Sequence, residues 1–152
     1  MAVVNFPVRP IVIMALATIV ACGGRRANFA PSPATPDQTV EQFLAAVNAT
    51  NLEQMSMLWG DEKGPQGVTN SMPQEQRIQR LTIMQRMLRS DTHTITATDA
   101  TDPSKRVLSV AMAQGTRRFT VPFTLVTSRA GGWLIKEIGL DAAMPSPGGV
   151  HN

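Results

Sequence analysis

The chain has 152 residues, a formal charge of +3 and 16% charged residues, so it is sized for one domain and too weakly basic to point to nucleic acid. Its single cysteine excludes an internal disulfide, and with only two histidines, one of them His151 near the end, no zinc ligand set assembles. Tyrosine is absent and aromatics are few, which leaves no stacking platform for bases or sugars.

Residues 11–21 are uncharged and mostly apolar, preceded by Arg9 and Pro10 and followed by Cys22. A short cationic lead, an apolar run and small residues make a secretory signal. The run is well short of the ~20 residues that a spanning helix takes. Ile19-Val20-Ala21-Cys22 resembles the bacterial lipobox. The resemblance implies removal of residues 1–21 and acyl chains, palmitate among them, on Cys22. Several chains together anchor stably where one would be marginal. Gly23 follows Cys22, and by resemblance to enterobacterial sorting this favours the outer membrane, facing the periplasm. Residues 22–35, with Pro31 and Pro33, read as a lipidated tether, since Pro-rich segments are extended and semi-rigid.

Thr35-Pro36-Asp37-Gln38 is a helix start: Thr35 caps, and Pro36 suits the first helical position. Val40, Phe43, Leu44 and Val47 then share one face, predicting a first helix over 36–49. A second helix, capped by Thr50 or Asn51, buries Leu52, Met55, Leu58 and Trp59 and ends at Gly60 through a left-handed glycine. Residues 61–72 read as a loop. A third helix over 73–89 carries Ile78, Leu81, Met84 and Leu88 inward, widened by Ile83 and Met87. Arg77, Arg80, Arg86 and Arg89 are spread around it as solvated cations.

Beyond Asp91 the period falls from 3.6 to 2. Thr92, Thr94, Thr96 and Thr98 alternate with His93, Ile95 and Ala97, a half-exposed strand. Residues 105–114 form a second strand with Leu108, Val110 and Met112 inward, and residues 118–128 a third with Phe119, Val121, Phe123 and Leu125 alternating. Pro122 marks this third strand as an edge or a bulge. Residues 133–140 are the last strand. Short turns predict an antiparallel meander. Residues 141–152, rich in Pro and Gly, read as a disordered tail.

The plan is α+β: three N-terminal helices, then a four-stranded antiparallel curved sheet, over 36–140. In its order, and in Thr39-Val40-Glu41-Gln42-Phe43-Leu44-Ala45-Ala46, Leu58-Trp59-Gly60, Gly64-Pro65 and Gly132-Trp133-Leu134-Ile135, the chain resembles small bacterial lipoproteins of the NTF2-like superfamily. The resemblance implies a sheet wrapped around a long helix as a cone with a pocket inside, and dimerisation through the sheet. Steroid-isomerase-like members use a pocket carboxylate with a tyrosine donor, and this chain has no tyrosine.

Asp61-Glu62-Lys63 beside Trp59 is the densest polar cluster, a candidate pocket mouth or interaction loop. Its plainer explanation is Trp59 in the core with solvated charges. His93 is the one histidine within the domain; with Asp61, Glu62 and Glu137 it completes the ionisable candidates. No catalytic residue, metal or cofactor is assigned. Two functions remain: a tethered module binding a small apolar ligand or another envelope protein, or an enzyme of isomerase or dehydratase type. An ionisable residue facing the interior separates them.

Overall fold

The computed structural model describes residues 32–99 and 102–145. The expected signal, Cys22, the first part of the tether and residues 146–152 lie outside the described residues.

The first helix, α1 (Pro36–Asn48), starts as the sequence dictates. Thr35 is extended, its Oγ1 accepts the Gln38 N–H at 3.2 Å, and Pro36 opens the helix. Val40, Phe43, Leu44 and Val47 have no exposed surface. The helix closes with the Thr50 N–H on the Val47 carbonyl and the Asn51 N–H on the Ala46 carbonyl. That is the Schellman pattern, with Thr50 at φ 55° where glycine is the usual occupant. Asn51 then caps α2 (Leu52–Leu58), its Oδ1 accepting the Gln54 N–H at 3.0 Å.

The α2 exit and the loop that follows depart from expectation. Trp59 is extended, not followed by a left-handed glycine. The chain enters a two-residue strand, β1 (Gly60–Asp61), paired with β2 (Gly64–Pro65), then a single helical turn, α3 (Gln66–Thr69). Among the described residues the α-helices therefore number four, not three, because the expected 61–72 loop folds on itself. Asp61 Oδ1 accepts the Lys63 N–H at 2.8 Å to make the turn, and the Gln66 N–H closes it on the Trp59 carbonyl at 2.8 Å. Gly60 is needed for close approach: a Cβ there would lie 2.3 Å from the Gly64 carbonyl oxygen.

The last helix, α4 (Gln74–Leu88), buries Leu81, Met84 and Leu88. Ile78 and Ile83, expected to face inward, are each 45% exposed.

Four strands follow, β3 (Thr92–Asp99), β4 (Lys105–Gln114), β5 (Arg117–Thr127) and β6 (Trp133–Ile138). They form one open antiparallel sheet in the order β3-β4-β5-β6. Leu108, Val110 and Met112 of β4, Val121, Phe123 and Leu125 of β5 and Ile135 of β6 line its inner face, where the helices pack. Phe43 meets Phe123 edge to face, with ring centroids 6.4 Å apart.

Pro122 was expected at an edge or a bulge, yet β5 is central. Its missing donor is tolerated because β6 runs out beside it: Pro122 accepts the Gly139 N–H at 2.9 Å just past the last β6 residue. The register irregularity of β5 lies further on, between Thr124 and Leu125. Past residue 140, where the sequence suggests a tail, Leu140–Ala143 makes a 3-10 turn with Ala143 buried and its carbonyl bound by the Arg117 guanidinium.

Because Gly60 has no room for a side chain, Gly60→Ala should lower unfolding stability by roughly 1–3 kcal/mol in denaturant titrations. Unchanged stability would show that the β1–β2 turn relaxes freely.

Candidate functional site

Trp59 sits within the core, 6% exposed, its backbone bridged to Ile135 of β6. The chain turns outward immediately after it, so Asp61 is half-buried and Glu62 exposed. Glu62 ties this corner to the sheet. Its carboxylate accepts from Lys136 Nζ at 2.7 Å, and its backbone carbonyl accepts the Arg129 N–H at 2.9 Å. The Lys136 hydrogen bond holds the Glu62 carboxyl below its ordinary 4.5, helped by a backbone N–H, and Glu62 in turn raises the Lys136 ammonium above 10.5. The tie contributes above about pH 4.5 and is lost as pH falls through the Glu62 value; it is lost again as pH rises through the Lys136 value. Both groups are solvent-exposed, so this is a local fastening rather than a large stability term.

His93 stands apart. It lies on β3 and Glu62 beside β6, the two opposite edges of the sheet. His93 Nε2 contacts Glu41 Oε2 at 2.8 Å, joining the β3 edge to α1, with the histidine side chain 21% exposed. The structure thus brings Trp59, Asp61 and Glu62 to one corner and places His93 with Glu41 at another. Glu137 is exposed on β6. Among the described residues, the buried polar side chains are Thr39, Ser56, Gln66, Ser90 and Ser128, four hydroxyls and one amide. No group of three or more His, Cys, Asp or Glu that could hold a metal occurs among the described residues, and none of their helices is long and apolar enough to cross a membrane.

Clefts open on several sides. One of about 350 Å³ runs across the β3 margin beside His93, Met112 and Phe119. Another of about 340 Å³ lies between α2 and α4, lined by Leu52, Met57 and Leu81 with Ile78 at its lip. Arg77 borders it. Its Nη1 donates to the Gln66 carbonyl at 3.1 Å and to Asn70 Oδ1 at 2.9 Å. Sequence reading treats Arg77 as one of four solvated cations. The signal for its position was present: the buried stripe Leu81, Met84, Leu88 extended back by four residues lands on Arg77, which is accordingly half-buried.

No family model, curated protein or solved structure matches the chain.

Two measurements check this corner. Trp59→Ala should cost about 3–5 kcal/mol of unfolding stability, as for other buried Trp truncations; an unchanged unfolding midpoint would place the ring outside the core. In a carboxyl NMR titration, Lys136→Ala should return Glu62 upward toward 4.5. An unmoved titration would show that the 2.7 Å contact is not maintained in solution.

Proposed function

We propose that this is a lipid-anchored protein of the bacterial cell envelope whose α+β domain works as a binding or interaction module facing the periplasm. The observation that carries the reading is the position of Cys22, the chain's sole cysteine, at the end of the apolar run 11–21. The acyl chains on Cys22 are the membrane contact, and Gly23 favours the outer membrane.

The described end of the tether fits a leash. Pro33 is buried and its carbonyl accepts the Trp133 N–H at 3.0 Å, and a Cβ on Gly132 would strike Ser32 at 2.4 Å. The tether therefore ends on the β6 edge. Fully extended at about 3.3–3.6 Å per residue, the chain from Cys22 to Pro33 reaches roughly 36–40 Å. On this reading the domain lies within that distance of the bilayer, the described chain entering beside the β5–β6 turn.

Within this reading the sheet curves over α1 in the NTF2-like manner, and the module takes a small apolar ligand or another envelope protein. Among the described residues the buried polar side chains are hydroxyls and an amide, which supports binding; His93, on the inner face of the sheet opposite Met112 and paired with Glu41, is the ionisable group that isomerase or dehydratase chemistry would have to use.

The test is processing and capture in cells. Cys22→Ser should accumulate as an unprocessed precursor retaining residues 1–21, while the wild type is shorter and partitions into detergent. Crosslinking of the wild type should capture an envelope neighbour or a bound small molecule. Identical processing of both forms would overturn the anchor, and an empty crosslinking profile would overturn the interaction module.

A further inference from the structure

We propose that the cleft between α2 and α4 is a binding site for a small amphiphile with a carboxylate head and a short apolar tail. The proposal deepens the reading of the domain as a binding module and rests on it.

Ile78 is the first sign. It continues the apolar stripe of α4, yet it is 45% exposed at the lip of the cleft, with Leu52, Met57 and Leu81 below it. An apolar tail laid there would cover it and gain the free energy that folding leaves unused. The volume, about 340 Å³, is at the small end of ligand sites and holds roughly ten non-hydrogen atoms at the ~30 Å³ of a water molecule. The floor is firm. Ser56 donates its hydroxyl to the Glu53 carbonyl at 2.7 Å, and a Cβ on Gly67 would lie 2.6 Å from Ser56 Oγ, so α3 packs directly on α2.

Arg77 specifies the head. Arg77 is only partly exposed, and its guanidinium is held by two neutral acceptors, the Gln66 carbonyl and the Asn70 side chain, both through Nη1, which leaves its charge available to an anion. Neither ion pair found among the described residues includes Arg77. With Nη1 committed and Arg77 bordering the cleft, a carboxylate there would be taken by Nε and Nη2, the guanidinium edge that accepts a carboxylate in two parallel hydrogen bonds. Gln66 is itself held, its Oε1 accepting from the Ser71 hydroxyl, so the guanidinium is oriented before any ligand arrives. Glu53 borders the same cleft and is exposed. Its charge opposes an anionic head and so sets the affinity without defining the site.

The probe is octanoate, titrated into the full acylated chain held in lipid nanodiscs, with empty nanodiscs as the blank, and followed by methyl NMR, with octanol and octyl phosphate as comparisons. Octanoate should bind saturably, with shifts concentrated on Leu52, Met57, Ile78 and Leu81. Octanol should bind about tenfold or more weakly, the loss of one charge-assisted contact. Arg77→Gln should weaken octanoate to the octanol level, and Glu53→Gln should strengthen it. Because Arg77 also fastens the 66–70 turn, Ile78→Asn is the second variant; its side chain is at the lip, so it should lose octanoate binding at unchanged thermal stability. Octanol binding as tightly as octanoate, octyl phosphate binding more tightly, shifts centred on the sheet, or no saturable binding each overturns the assignment. An envelope neighbour captured by crosslinking while octanoate fails leaves the module reading standing and removes this cleft from it.

Discussion

The contact on which the rest of the domain depends is the seating of α1 across the inner face of the sheet. Val40, Phe43, Leu44 and Val47 meet the row formed by Leu108, Val110, Phe123, Leu125 and Ile135, all almost fully buried. Each such side chain is worth about 1.5–3 kcal/mol on burial, against about 0.5–1.5 kcal/mol for a typical neutral hydrogen bond. The edge-to-face pair Phe43–Phe123 sets where along the helix the sheet crosses. Thr39 then fixes the rotation: its hydroxyl, fully buried, bonds the Thr35 carbonyl at 3.0 Å and reaches the Trp133 carbonyl at 3.4 Å.

Polar contacts fasten the margins of this apolar joint. At the β6 edge, Pro33, Trp59 and Glu62 bring the incoming chain, the α2 exit and the β1–β2 turn onto one strand. At the β3 edge, Glu41 and His93 join α1 to the sheet. The division follows from solvation. The charged pairs stay where water reaches them, and among the described residues the buried polar side chains are hydroxyls and an amide, of which Ser90 Oγ is left without a hydrogen-bond partner.

Features with a period were legible in the sequence. The apolar spacing of α1 and the alternation from Thr92 to Ile138 place one helix and four strands within a residue or two of where they lie, and the short turns dictate the meander. Features decided by single close approaches were not. Two-residue strands have no periodic signature, so β1 and β2 looked like loop, and Gly60 looked like a helix cap when its role is to admit the Gly64 carbonyl. Pro122 argued for an edge, because only the structure shows that β6 stops beside it. Of the candidate site, Trp59 could be read as core or as pocket wall, and its 6% exposure puts it in the core. The spacing of the α4 stripe puts Arg77 on the buried side, but the acceptors that hold it, on α3 and the turn after it, have no signature in the sequence.

The proposed function joins a membrane address, residues 11–22, to a domain whose incoming chain meets β6 at Trp133. Its central claim is the modification of one atom, the Cys22 sulfur. The most direct measurement is the intact mass of the mature protein purified from the membrane fraction. The expected result is a chain beginning at Cys22 and heavier than its amino acids by the mass of the attached acyl groups. A chain of unmodified mass, or one whose first residue is not Cys22, would contradict it.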